Sequence, residues 1–262
     1  MGHAFFSAAE LSRQYSEYRE DAFVAHFSDR FRDVIKGSTS AYEISNKGFC
    51  TGAEYLLDVV KNVLCASCVD FGAGQMFANP RNVINYVECH DNHTLWDKMR
   101  ECCRGEERWI RKRRQEMMNA MVLLAQGIPF LHSGQEFART KHGAGNTYNQ
   151  GDAVNQINYQ RRNDYREMQE HTKLLIRLRK EHPCFRYSIT ESLYQNVAFE
   201  EINGKALIYK AKDEKEELWS FFNPSPETLY YHLPQTSDIL YYNGASTLRS
   251  QIDLEIQPLF RQ

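Results

Sequence analysis

The stretch Asn85-Tyr86-Val87-Glu88-Cys89-His90-Asp91-Asn92-His93-Thr94-Leu95-Trp96-Asp97-Lys98 changes character twice. Its first part completes residues 82–88 (NVINYVE), a short apolar run with the length of a buried strand. Its last part reads as the start of a short helix near Thr94. Between the two sit Cys89, His90, Asp91, Asn92 and His93, all able to hydrogen-bond, ligate or titrate. They fall at the carboxyl end of the strand, the edge where parallel α/β folds place their chemistry.

The same strand-then-helix unit repeats on both sides. Upstream, residues 8–20 are polar and read as a helix or loop. Residues 23–27 (FVAHF) read as a buried strand, and residues 29–37 as a helix stopped by Gly37. Residues 52–67 place Tyr55, Leu56, Val59, Val60 and Val63 on one helical face. Downstream, residues 106–126 carry the strongest helical pattern, with Met117, Met121, Leu124 and Ala125 inward. Residues 128–132 (IPFLH) are a third strand. Residues 133–158 are rich in Gly and Asn and lack apolar periodicity, and loops that long are usually functional or disordered. Residues 164–181 form another amphipathic helix, closed by His182-Pro183. Fully apolar strands alternating with helices predict a parallel sheet or barrel.

Beyond Pro183 the pattern becomes all-β. Residues 197–201, 206–211, 217–222, 228–232, 239–242 and 251–256 are short β-type runs. Turn signals such as Asn203-Gly204, Asn223-Pro224 and Asn243-Gly244 separate them. They predict a small antiparallel β-sandwich of about six strands. The chain thus reads as an α/β domain over 1–183 and a β-sandwich domain over 184–262.

Composition excludes several classes of partner. A net charge of −2 gives no reason to expect nucleic acid or an anionic membrane. The basic run 108–114 (RWIRKRR) reads as a solvated helix face. No stretch reaches the ~18 apolar residues of a membrane helix; the richest, 121–131, is interrupted by Gln126, Gly127 and Pro129. The N-terminus MGHAFFSAAE lacks a secretory pattern. Seven irregularly spaced cysteines argue against a disulfide framework and for a cytoplasmic setting. Cys65-x-x-Cys68 has no second pair at zinc-finger spacing and reads as packing at a helix end.

Three segments share a further likeness: 26–33 (HFSDRFRD), the opening stretch 85–98, and 126–137 (QGIPFLHSGQEF). A fourth runs from Asn146-Thr147-Tyr148-Asn149 through Asn155-Gln156-Ile157-Asn158. In order, and over nearly the whole chain, they resemble the pullulanase branch of the α-amylase superfamily (glycoside hydrolase family 13). His-Asp-Asn alone would be a weak signal; its continuation into Thr94-Leu95-Trp96 makes it specific.

The resemblance implies a (β/α)8 TIM barrel with a C-terminal β-sandwich, the three strands here being barrel strands six to eight. It implies retaining hydrolysis of α-1,6 bonds in α-glucans such as pullulan, amylopectin and glycogen-type branched oligosaccharides. Asp91 matches the family's third carboxylate, a transition-state stabiliser that binds sugar hydroxyls at the cleavage point. His90 matches a histidine on the same sugar, and Asn149 and Asp152 are candidate contacts to the neighbouring sugar. No cofactor or metal is implied by these residues, and calcium is left open. A retaining glycosidase also needs a nucleophile and an acid/base, which the family carries after strands four and five. Nothing here matches those. A complete barrel takes about 250 residues, more than 1–183 supply, so an incomplete barrel, inactive alone, is expected. Two alternatives stand beside this reading: a non-catalytic α-glucan-binding or scaffold protein, and a portion of an isoamylase. Cys89 stands where a small residue is usual in the family, and Tyr159 where Trp is frequent.

Each residue also has a plainer role open to it. Asp91 is a candidate helix N-cap, and His90 a satisfied core histidine. Asn149 and Asp152 are equally at home as solvated loop residues. Glu88 is either a paired core carboxylate or a site residue. Asn92, His93 and Trp96 are candidate cleft walls, Trp96 equally core. His132 reads as a structural hydrogen-bonder, and Asp29, Arg30 and Arg32 as an ion network. Glu88 with Glu136 is rejected as a catalytic pair, since the resemblance places that pair elsewhere.

Overall fold

The computed structural model describes residues 24–39, 41–242 and 245–257; Phe23 and the polar segment 8–20 lie outside them. Strands β1 (His26–Phe27), β2 (Val83–Asn85) and β3 (Ile128–Pro129) form a parallel sheet in that order. His26 pairs with Val83, and Ile84 with Ile128. Single bonds from Ser28 N to Ile84 O and from Phe130 N to Asn85 O, both 2.9 Å, extend the ladders. The strands are shorter than the apolar runs that encode them. Among the described residues β1 and β3 each have a neighbour on one side only, and Pro129 has no N–H to give.

Helix α1 (Asp29–Lys36) is capped by Ser28, whose hydroxyl accepts from Phe31 N at 3.2 Å. It stops at Gly37, where φ is 96° and an added Cβ would fall 2.2 Å from Asn46 O. A 3-10 turn, Glu54–Leu56, leads into α2 (Leu57–Leu64). Then come α3 (Leu95–Cys102), α4 (Arg108–Leu124) and the short α5 (Asp152–Asn155). The expected helix over 164–181 is split at Tyr165 into α6 (Arg161–Asp164) and α7 (Arg166–Glu181). Helix α8 (Thr190–Asn196) was not foreseen; only Thr190 and Leu193 of it are buried, too few for an apolar period.

The basic run on α4 is a correction to the sequence reading. Arg114 is 2% exposed and donates to both Glu106 oxygens, at 2.8 and 2.6 Å, and to Cys50 O at 2.7 Å. Lys112 pairs with Glu167, Arg108 donates to Tyr165 Oη at 2.8 Å, and Arg111 lies over the Trp96 ring. The cause is that α4 packs along α7, so much of its basic face meets protein. Arg179 of α7 ties the end of α4 to β3: it donates to Leu123 O and Ala125 O at 2.8 Å and to Gly127 O at 2.6 Å.

After α8, strands β4 (Val197–Ile202), β5 (Ala206–Lys212) and β6 (Glu217–Phe222) form one antiparallel sheet. β7 (Leu229–Tyr242) and β8 (Ala245–Ile256) form another. The runs expected at 228–232 and 239–242 are one strand, whose register against β8 shifts between His232 and Ser237, a segment containing Pro234, and again between Ile239 and Tyr241. Ile208, Leu229 and Ile256 cluster with Trp219, Phe221 and Tyr231 between the two sheets. The main core spans both halves: Phe31, Leu64, Val87, Leu95, Met121 and Leu175 join Leu207, Tyr209 and Phe222. Each such side chain contributes about 1.5–3 kcal/mol by leaving water. A cavity of about 440 Å³ separates α4 and α7 from β6–β8, lined by Met117, Leu175, Phe185 and Phe221. Glu116 projects into it, and burial pushes its carboxyl up to about 7. Cys65 and Cys68 are packed with Val69, Phe77 and Val83, as expected of structural thiols. No helix among the described residues is long and apolar enough to cross a membrane.

Candidate functional site

The chain leaves β2 through buried Tyr86 and Val87 and reaches Glu88, which is 1% exposed. Glu88 Oε2 accepts from Leu95 N at 2.6 Å, and Oε1 accepts from His132 Nδ1 at 2.7 Å. Arg139 Nη1 donates to His132 Nε2 at 3.1 Å, which places the ring proton on Nδ1. Glu88 is thus the paired core carboxylate of the two roles open to it, and His132 is the structural hydrogen-bonder expected. Lys36, also buried, faces this network; burial pushes its amine down to about 8, against the pull of Glu88.

Helix α3 begins at Thr94, whose Oγ1 accepts from Asp97 N at 3.2 Å. With the Glu88 bond to Leu95 N, two of the helix's four orphan donors are satisfied. Asp91 is therefore not the cap of α3. Its carboxylate lies 3.4 Å from His90 Nε2, and the two side chains are 55% and 78% exposed. His90 is not a core histidine. The pair stands open at the carboxyl end of β2 with no hydrogen bond to any other side chain among the described residues.

What holds the 89–93 segment is its backbone. Lys141 Nζ donates to Asn92 O, to Gly145 O at 2.6 Å and to His90 O at 3.5 Å. Lys141 N in turn donates to Asp97 Oδ2 at 2.7 Å, and Thr140 Oγ1 to Asp97 Oδ1 at 2.5 Å. Burial lowers the Lys141 amine below the ordinary lysine range. Asn92 adopts φ 59° in this turn. Gly145 approaches His93 so closely that an added Cβ would lie 3.0 Å from its ring. One ammonium thus fastens two loops together. Sequence reading missed Lys141, and the signal available was only a lone lysine in a Gly-rich polar segment.

Asn149 and Asp152 are exposed on that second loop, Asp152 as the first residue of α5. The loop is closed on itself by Thr147 Oγ1 donating to Asn155 Oδ1 at 2.6 Å, and anchored by Arg139 Nη2 to Asn155 O at 2.7 Å. The structure thus tethers both loops at one edge, but no hydrogen bond joins Asn149 or Asp152 to His90 or Asp91. Trp96 is core, 5% exposed and edge-on to Tyr165. Asp29, Arg32 and Tyr86 form the expected network, with Arg32 Nη1 3.0 Å from Asp29 and Tyr86 Oη donating to Asp29 at 2.6 Å. Arg30 instead reaches Asn62 Oδ1 and Gly74 O. Glu136 accepts from Gly134 N at 3.0 Å.

Cys89, His90 and Asp91 bring one sulfur, one nitrogen and one oxygen donor within 4.8 Å of one another. Calcium takes oxygen ligands, so this trio does not suit it. Two exposed hydrogen-bonding side chains beside a rigid backbone suit a polyhydroxylated ligand better.

No protein-family model matches the chain. It is 34% identical over 223 residues to a pullulanase of Bacillus subtilis, covering 83% of this chain and 30% of that protein. To pullulanase 1 of Arabidopsis thaliana chloroplasts it is 33% identical over 179 residues, 52% of this chain and 18% of the relative. Among solved structures, Bacillus subtilis type I pullulanase in complex with maltose matches with a TM-score of 0.84 at 30% identity, over 90% of this chain and 34% of that one. The Anoxybacillus pullulanase in complex with maltotetraose matches with a TM-score of 0.82 at 34% identity, over 89% and 34%. The chain spans about a third or less of the length of these relatives. By sequence and by structure, it is a homologue of the bacterial pullulanases, debranching enzymes of the glycoside hydrolase 13 type.

Proposed function

We propose that this chain supplies strands six to eight and the C-terminal β-sandwich of a barrel that hydrolyses α-1,6 bonds in α-glucans with retention. Residues 1–183 then belong to the barrel and 184–262 to the sandwich. Asp91 and His90 bind the sugar at the cleavage point, and Asn149 and Asp152 its neighbour. The observation that carries the reading is the exposed Asp91–His90 pair. Its backbone is locked by Lys141 while its side chains have no structural duty. The maltose and maltotetraose bound by homologous pullulanases support an α-glucan ligand. Hydrolysis needs two carboxylates flanking the bond, about 5–5.5 Å apart for retention. Glu88 and Glu136 are engaged in holding backbone, so the chain alone is not expected to hydrolyse. Its seven free cysteines suit a cytoplasmic setting. An isoamylase relative from rice matches at only 23% identity, which favours the pullulanase reading over that alternative.

The test is titration of the chain with maltotriose and maltotetraose, followed by calorimetry or NMR. Saturable binding, weakened in Asp91→Asn, is expected. Equal affinity in both proteins, or no binding at all, would sink the assignment. Release of reducing ends from pullulan by the chain alone would overturn the view that the catalytic pair is supplied by other sequence.

A further inference from the structure

The far end of α3 carries two adjacent thiols that the sugar site does not use. The sulfurs of Cys102 and Cys103 lie 3.7 Å apart and share a hydrogen bond. The residues are buried, 6% and 3% exposed, so only a small oxidant can reach them. Cys102 is the last residue of the helix, and Cys103 has already left it, at φ −121° and ψ 46°. Gly105 follows at φ 85° with open space around it. This placement matters because a disulfide between neighbours closes an eight-membered ring that regular helix cannot accommodate. Here the C-terminal side has left the helix, and the ring's closure must bend the one bond that still ties it there, Cys103 N to Met99 O at 2.9 Å.

The electrostatics single out the same pair. Cys102 is held below the ordinary thiol range, chiefly by the hydrogen bond from Cys103, with Lys98, Arg114 and Lys47 adding to it against burial. The same bond and burial raise Cys103. Cys50, Cys65, Cys68, Cys89 and Cys184 are all raised, burial being the largest cause in each. Nucleophilic thiols are those held low beside cations, and buried unassisted ones are inert.

We propose that Cys102 and Cys103 form a reversible dithiol–disulfide couple, oxidised by small peroxides. In the first step the Cys102 thiolate attacks one peroxide oxygen. The O–O bond breaks, hydroxide leaves and takes up a proton, and Cys102 becomes a sulfenic acid. In the second step Cys103 sulfur attacks Cys102 sulfur. The S–O bond breaks and water leaves with the Cys103 proton. The two thiols lose two electrons, and the peroxide is reduced to two waters. The small ring strains the product, and strained disulfides are the readily reduced ones. Thiols of the surrounding pool therefore return it to the reduced form.

The test uses the whole chain, fully reduced and then treated with stoichiometric hydrogen peroxide. Remaining thiols are alkylated and the protein is cut with trypsin, which releases residues 101–104 (ECCR) as one peptide. The expected product is that peptide lacking two hydrogens and unalkylated, restored by dithiothreitol. Cys103→Ser should instead trap a sulfenic acid on Cys102, captured by dimedone. Two alkylated thiols in the peptide while other cysteines oxidise, or a bond from either residue to a different cysteine, overturns the proposal. The wild-type map decides even where the variant does not fold.

Discussion

At the scale of single residues, Asp91 and Glu116 make opposite kinds of claim. Asp91 is exposed and carries no structural bond, so Asp91→Asn is expected to leave the melting temperature unchanged. In a barrel completed with the remaining strands it should lower kcat rather than raise KM. The loss expected is ~3–4 kcal/mol, that of one preorganised transition-state contact. Stopped assays on pullulan, beside a thermal melt, separate the two effects; an early melt with normal kcat would restore a structural role. Glu116 is a carboxyl that desolvation beside the cavity holds up to about 7, against the pull of Lys112 and Arg113. The folded protein therefore binds its proton more tightly than the unfolded chain does. Stability is full below the unfolded value near 4.5 and is lost as pH rises through 7. Glu116→Gln should remove that loss, gaining up to about 3 kcal/mol over wild type at pH 8 and little at pH 4.5. Urea melts across that range check it, and parallel curves would show that the carboxyl is not buried in solution. Asp91 stands out in the sequence as a candidate because a motif surrounds it. Glu116 does not, because only tertiary folding sets this half-buried helical glutamate against the cavity between α4 and β6.

At the scale of elements, α3 shows a helix start built without the aspartate three residues before its cap. Thr94 and Glu88 satisfy Asp97 N and Leu95 N, while Asp91 satisfies neither. Thr94→Ala is expected to cost about 1 kcal/mol, seen as a lower urea midpoint. The matching Asp91→Ala should cost nothing measurable, and equal losses in the two would return Asp91 to the cap. Helix positions were legible from periodicity and caps, as α1, α3 and α4 show within a few residues. Strand lengths were not. Residues 86–88 and 130–132 are as apolar as the strands they continue, yet ladder bonds need a neighbour. Helix α8 escaped because its burial is confined to Thr190 and Leu193, and the continuity of β7 across two expected strands depends on pairing with β8.

At the scale of the whole molecule, the parallel sheet governs behaviour. β1 and β3 are its outer strands among the described residues, and Phe27 and Ile128 stand 40% and 42% exposed on them. Unpaired edges and uncovered apolar side chains invite association. The folded chain alone is therefore expected to self-associate as its concentration rises in sedimentation runs, and a monomer that persists across the concentration range would count against this. Class and order of the elements were legible because each strand–helix unit is written locally. The common core between the α/β part and the antiparallel strands was not, since Leu207, Tyr209 and Phe222 join Leu64, Met121 and Leu175 only through tertiary folding. The Arg179 ligature carries a consequence for how the protein is made. The three carbonyls it grips, on Leu123, Ala125 and Gly127, leave the ribosome roughly fifty residues before their donor does. At ordinary elongation rates that interval lasts about 3–10 s. Throughout it the nascent chain holds a third strand whose lock has not yet been translated, so this is a stretch of synthesis in which a chaperone has something to protect.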